Sequence, residues 1–193
     1  VANYSFNSSC QGMSHWSLTV TYADANEKIL PLDQPPTDLV STGIRLRAAR
    51  GERQDFQLVA QPCQGLQKLN IVPHQFDSTG GPDFGWEVRQ VAFTHVDVAR
   101  NRDNRTGLFP DPLPPLSASL SAGDSPSYVP AYLNTPFWLT VSTPADAKPG
   151  VHRTTVDVMV GSDVPGPAGI SGVLCRLAVH LTVLDFAIPT GAK

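Results

Sequence analysis

The stretch Val173-Leu-Cys-Arg-Leu-Ala-Val-His-Leu-Thr-Val-Leu-Asp-Phe186 puts Leu177, Val179, Leu181 and Val183 in one phase, together with Cys175. Successive side chains of a strand point to opposite faces, so this period of two predicts a strand with one buried face. Just upstream, 151–160 repeats the pattern with Val156, Val158 and Val160. Between them lie Pro165, Gly166, Pro167, Gly169 and Gly172, which predict a long, exposed hairpin loop over 161–172. Further back, 136–143 places Phe137, Leu139 and Val141 on one face. Its link to 151–160 is punctuated by Pro144, Pro149 and Gly150 as a turn.

The rest of the chain reads the same way. Strands are predicted at 16–22, 44–49, 55–61, 68–74 and 86–98. In the last of these the apolar phase changes: Val91 and Phe93 share one face, Val96 and Val98 the other. A bulge or a switch between sheets would produce that change. The longest stretch free of Pro and Gly runs from Trp86 to Thr106, and its first half is β-branched and aromatic rather than helix-periodic. About eight strands with one apolar face each predict an all-β fold, an antiparallel two-sheet β-sandwich. Helix–strand alternation is missing, which argues against a Rossmann or barrel core within this chain.

Composition agrees. The chain has 193 residues, with 18 Pro, 15 Gly and only 16% charged residues. That favours turns over long helices. The length suits one domain with its own core. A net charge of −3, without clustered Lys and Arg, argues against a nucleic-acid partner. No run of about 18 apolar residues is present for a membrane span. The expected organisation is an N-terminal extension with the first strand at 1–43, the sandwich at 44–189, and the start of a linker to a following domain at 190–193.

One segment departs from the strand pattern. Residues 99–135 carry Pro110, Pro112, Pro114, Pro115, Pro126 and Pro130, together with Leu108, Phe109, Leu113, Leu116, Tyr128 and Tyr132. So long a loop is uncommon, and this one is too apolar for a solvated linker. It predicts an ordered, Pro-stiffened crossover laid over the sandwich. It reads either as a long Greek-key connection or as a docking surface for another domain, with Phe109 and Leu113 as the contact residues. Trp138 lies opposite in phase to Phe137, Leu139 and Val141, so it faces outward. Three readings stay open for it: covered by the crossover, buried at a domain interface, or a platform on which a sugar ring stacks.

Other constellations carry little chemistry. The cysteines, Cys10, Cys63 and Cys175, show no Cys-x-x-Cys spacing. Cys175 is in phase with the apolar face of its strand and is expected as a buried free thiol. Cys10 and Cys63 remain, and are expected to pair in an oxidising compartment. Asn3, Asn7 and Asn104 head N-x-S/T sequons in stretches that read as tail or loop, which points to a secreted or cell-surface protein. His15, His74, His95, His152 and His180 lack metal-ligand spacing, so no metal or other cofactor is expected. Gly123-Asp-Ser125 lacks the strand a nucleophile elbow needs, and Gly80-Gly-Pro82 lacks the helix of a phosphate loop. Glu52 and Asp55 sit at a strand entrance where Arg50 and Arg53 can pair with them.

Four pieces together point further. They are Arg47-Ala-Ala-Arg-Gly-Glu-Arg-Gln-Asp-Phe-Gln-Leu-Val-Ala60, then Leu108-Phe-Pro-Asp-Pro-Leu113, then Asn134-Thr-Pro-Phe-Trp-Leu-Thr-Val141 running on into Pro144-Ala-Asp-Ala-Lys-Pro-Gly-Val151, and last Leu181-Thr-Val-Leu-Asp-Phe-Ala-Ile-Pro189. Their order and spacing resemble the N-terminal β-sandwich domain of glycoside hydrolase family 123 and of related uncharacterised proteins. The family's Pro-Gly turn is usually followed by a Tyr and a Gly, where this chain has Val151-His-Arg-Thr154. The resemblance implies that a (β/α)8 barrel follows the sandwich and carries the Asp–Glu pair for hydrolysis of N-acetylhexosamine linkages. It places no catalytic residue on this chain, which stops about where that barrel would begin. The expected function is therefore a non-catalytic accessory domain that braces the barrel and contributes to glycan binding. The alternative is a stand-alone secreted or cell-surface module that binds carbohydrate or protein.

Overall fold

A computed structural model of the chain describes residues 18–34, 43–63, 65–77, 82–97, 106–111, 127–160 and 172–189. The described residues form eleven strands: β1 (Leu18–Asp24), β2 (Ile44–Arg50), β3 (Arg53–Pro62), β4 (Leu66–Pro73), β5 (Gly85–Gln90), β6 (Phe93–Val96), β7 (Gly107–Pro110), β8 (Ser127–Val129), β9 (Thr135–Ser142), β10 (Gly150–Val160) and β11 (Gly172–Ala187). Sheet one runs β1-β3-β9-β5 and sheet two runs β2-β11-β10-β4-β8. β6 and β7 pair as a separate ribbon. Among the described residues no helix is long and apolar enough to cross a membrane.

The two sheets pack their alternating apolar faces together. Phe56 and Leu58 of β3, Phe137, Leu139 and Val141 of β9, and Leu18 and Val20 of β1 meet Val156, Val158 and Val160 of β10 and Leu177, Val179, Leu181 and Val183 of β11 in one cluster. Each such side chain contributes about 1.5–3 kcal/mol when fully buried. Aromatic rings close one side of it. Trp86 lies parallel to Phe76 at 5.6 Å and edge-on to Phe56 at 6.3 Å. Its indole N–H donates to the His74 carbonyl at 3.1 Å. Cys175 is a buried free thiol on this inner face, and burial pushes its pKa up to about 11, with the Asp157 charge adding to the shift.

Three features differ from the sequence reading. The strand count is eleven rather than about eight, because 99–135 contains β7 and β8 and the 86–98 run divides into β5 and β6. Strands of three or four residues show at most two repeats of the alternation, too few to stand out from a loop. The phase change in 86–98 is a switch: after Gln90 the chain leaves sheet one, and Phe93–Val96 pairs with β7. Finally, β2 runs parallel to β11, from Ile44 opposite Val179 to Ala48 opposite Val183. All other pairings among the described residues are antiparallel. β2 is an edge strand, and it turns Arg45 and Arg47 outward, which discourages pairing with another chain.

Gly51 makes the corner where the chain crosses from sheet two to sheet one. Its φ of 78° lies in the left-handed region, where a side chain would be strained. Glu52 holds the same corner, its carboxylate accepting from the Ala49 N–H at 2.6 Å.

Candidate functional site

The outer face of sheet one is partly covered. On β1 and β3, Ala23 and Val59 point away from the main core, and Ile29 packs on them as a small second cluster. Ile29 belongs to a strap, 25–34, that follows β1 across the sheet. Two side-chain amides hold it. The Nε2 of Gln57 donates to the carbonyls of Asp24 and Glu27 at 3.0 and 2.8 Å. The Nδ2 of Asn134 donates to the carbonyls of Leu30 and Asp33 at 3.0 and 2.9 Å. Both amides are almost fully buried. Each replaces hydrogen bonds that the strap's backbone would otherwise make to water.

On the other side stands the β6–β7 ribbon. It is anchored where the Val91 N–H donates to the Pro136 carbonyl at 2.9 Å, and the Asp111 N–H extends the ribbon's own pairing by donating to the Ala92 carbonyl at 3.3 Å. Between strap and ribbon runs a groove of about 180 Å³. Its floor is Gln57 and Trp138, one wall is 25–29, and the other wall is Val91, Pro110 and Asp111. Gln57 and Arg89 are the cross-strand neighbours of Trp138 in register. The indole sits mid-sheet and is half-buried.

Beside the groove the same face carries a charged row. The Thr140 hydroxyl donates to Asp55 at 2.5 Å. Arg53 pairs with Glu87 at 2.8 Å, and Arg89 binds the same carboxylate. The hydrogen bond from Arg89 is the main cause that holds the Glu87 carboxyl below its ordinary pKa. The expected pairing of Arg50 and Arg53 with Glu52 and Asp55 is not what forms: Glu52 caps the corner, Asp55 accepts from Thr140, and Arg50 approaches Asp185 at 3.9 Å. Asp55 lies directly opposite Thr140 in register, closer than a residue two places along its own strand, and the long Arg53 side chain reaches across β9 to Glu87.

The outer face of sheet two is different. Asp157 receives two bonds from Arg176, at 2.7 Å each, and lies 2.9 Å from the His74 Nε2. These partners hold its carboxyl down at about 2, with the Arg176 hydrogen bonds as the largest cause. His95 lies 2.7 Å from Asp97, and the ring of His152 contacts the Lys148 carbonyl at 2.8 Å. Among the described residues no three His, Cys, Asp or Glu side chains come together as a metal site.

Of the residues singled out from sequence, Trp138 lies in the groove and Phe109 lies in β7 at its edge, half-buried. The Lys28 ammonium stands 5.8 Å above the Phe109 ring. Pro110 from the crossover lines the same groove as Trp138. Cys63 is half-buried just beyond β3. Leu113, Cys10 and the sequon residues Asn3, Asn7 and Asn104 lie outside the described residues. Sequence reading missed Gln57, Lys28 and Asp111. Gln57 was visible as the polar phase of its strand, but nothing in the sequence shows that a loop thirty residues earlier folds over it.

No family model matches this sequence, and no curated protein matches it. Among solved structures, the fold is similar to part of a family 123 glycoside hydrolase from Clostridium perfringens, whose structure describes glycolipid glycan hydrolysis: TM-score 0.65, 13% identity, over 89% of this chain. The chain spans 28% of that hydrolase's length. Weaker likenesses include the N-terminal domain of PorA, at TM-score 0.40 and 9% identity over 88% of this chain and all of that one. A cohesin from Pseudobacteroides cellulosolvens follows at TM-score 0.29 and 10% identity, over 78% of this chain and 94% of that one. The likeness is one of fold: a β-sandwich built like a portion of a glycoside hydrolase.

Proposed function

We propose that this chain is a non-catalytic accessory domain of a glycoside-hydrolase-like protein and that it braces a following barrel domain. The observation that carries this reading is the coverage: nearly the whole chain overlays on little more than a quarter of a hydrolase. The end of the sandwich where β11 finishes supports it. Phe186 and Ile188 are 56% and 45% exposed there. Exposed apolar side chains mark a surface that a neighbour completes.

The test uses the reading frame that contains this chain. A barrel with adjacent acidic residues at a strand end is expected after Lys193, and the 193-residue chain alone is expected to hydrolyse no aryl N-acetylhexosaminide above buffer background. Turnover by the chain alone that disappears on one carboxylate substitution would overturn this. A stalk, a membrane anchor or further sandwiches in place of the barrel would favour the stand-alone binding or adhesion module. The sequons support placing the protein in the secretory pathway or at the cell surface. There, non-reducing peptide mapping is expected to recover Cys10 linked to Cys63, and recovery of both as thiols argues against that location.

A further inference from the structure

We propose that the groove over Trp138 is a binding site for one neutral pyranose ring. The choice of a carbohydrate rests on the reading of this chain as a domain of a carbohydrate-active protein; the site itself stands on the groove's own chemistry.

The floor comes first. The Trp138 indole is half-buried and held in the middle of sheet one, between β3 and β5. Its backbone is held by pairing on both sides, so no main-chain freedom need be lost when a ligand settles on the ring. Its π-face complements the C–H face of a sugar ring. Gln57, beside it, is 3% exposed, and its Nε2 is committed to the carbonyls of Asp24 and Glu27. Among the described residues nothing donates to its Oε1, so an unpaired acceptor stands at the groove floor for a hydroxyl. Such an acceptor is preorganised, because the strap's two carbonyls fix the amide's orientation.

The walls select charge and size. Glu27 lies on the strap and Asp111 on the ribbon side, and both are exposed. Carboxylates accept strong hydrogen bonds from hydroxyl groups. Among the described residues that line the groove Lys28 is the one cation, and its ammonium is drawn toward the Phe109 ring. Two carboxylates against one occupied cation disfavour phosphate, sulfate and uronate ligands. The groove is small and open, with about 180 Å³ of space, which suits one ring with its outer hydroxyls in solvent rather than a longer chain. An open groove of this kind gives weak binding, with a Kd of about 1–10 mM.

The experiment is an NMR titration of the 193-residue chain, following the indole Nε1–H of Trp138. The probes are methyl β-D-galactopyranoside and methyl β-D-glucopyranoside, with methyl β-D-glucuronide as the anionic comparator. A saturable shift with at least one neutral glycoside is expected, and binding of the uronide at least about 5-fold weaker. Trp138→Ala is expected to abolish saturation, and Trp138→Phe to keep affinity within about 5-fold, since a smaller ring still stacks. Asp111→Asn changes an exposed residue, keeps the fold even if Trp138→Ala does not, and is expected to weaken binding about 3- to 10-fold. No saturable shift up to about 50 mM of either neutral glycoside, equal binding of the uronide, or unchanged affinity in Asp111→Asn overturns the proposal. The outcome separates from the bracing role. Binding without a barrel in the reading frame leaves the groove standing alone, and a barrel without binding leaves only the brace.

Discussion

Both sheets of this sandwich turn a polar residue outward from the middle of a strand and then bury it, but they do so by opposite means. On sheet one, Gln57 disappears beneath a backbone strap, and its amide bonds to two main-chain carbonyls. On sheet two, among the described residues, Asp157 is covered by the Arg176 and His74 side chains, which themselves stand in solvent at 58% and 46% exposure. The first arrangement is neutral and brings an apolar cluster with it, Ala23, Ile29 and Val59. The second is ionic. The sheet's period of two delivers a polar side chain to the outside in both cases, and what lies above it decides whether the result is insulated from pH and salt. Sheet one thereby acquires walls, and with them a groove. Sheet two acquires a cross-strand clamp over β4, β10 and β11.

The strongest way to break this contrast is a charge beneath the strap. Ile29→Asp places an unpaired carboxylate on the second cluster and is expected to cost about 3–5 kcal/mol. At roughly 2–4 °C per kcal/mol for a domain of this size, the melting temperature should fall by about 6–20 °C. Ala178→Asp on the exposed outer face of sheet two should change stability by no more than about 0.5 kcal/mol. Equal losses in the two variants, read from thermal melts, would show that the strap insulates nothing.

Gln57→Ala comes next. It leaves the carbonyls of Asp24 and Glu27 without their donor and should cost about 1–3 kcal/mol. Because no charge is involved, the loss should be the same at low and high salt in urea melts. A loss that shrinks with salt would tie the strap to ionic contacts instead.

Asp157→Asn should cost about 1–2 kcal/mol at neutral pH, below the value for a fully enclosed pair because both partners are solvated. Here pH supplies the sharper reading. The folded carboxyl titrates at about 2, below the ordinary value of 3.8. Ionised Asp157 therefore stabilises the fold fully above about pH 4, and that contribution is lost as pH falls toward 2. The stability gap between the natural chain and Asp157→Asn should close across that window, and a gap that persists at pH 2 would break the ionic account of sheet two.

The smallest effect is expected at the groove's edge. Phe109→Asp alters a half-buried ring on the ribbon and should shift the melting temperature by less than about 2 °C. The new carboxylate gains the Lys28 ammonium as a neighbour, which offsets part of the lost ring contact. A drop above about 8 °C would make the ribbon part of the core cladding rather than an open wall.

Much of the sandwich was legible in the residues. Val156, Val158 and Val160 and the run from Leu177 to Val183 named their buried faces by alternation alone, and Cys175 followed from its phase. Trp138 was legible as outward because it falls opposite Phe137 and Leu139. The ribbon was not, because Phe93–Val96 and Gly107–Pro110 are too short to show a period and pair across ten intervening residues. The groove was illegible for a related reason. Its floor comes from β3 and β9, and its walls come from connections whose path over the sheet no local pattern encodes.

The sequence by itself thus determined the period of two, the faces that meet in the core, and the class of fold, because strand alternation is a property of each segment alone. Only the tertiary structure decided which polar side chains became partners: Gln57 with a strap thirty residues before it, Asn134 with carbonyls a hundred residues away, Asp157 with His74 and Arg176. A hydrogen bond needs its two atoms within about 3 Å and aligned. Over such separations in the chain, that condition is met by the packing of the sheets and the course of the loops, and by nothing that can be read one segment at a time.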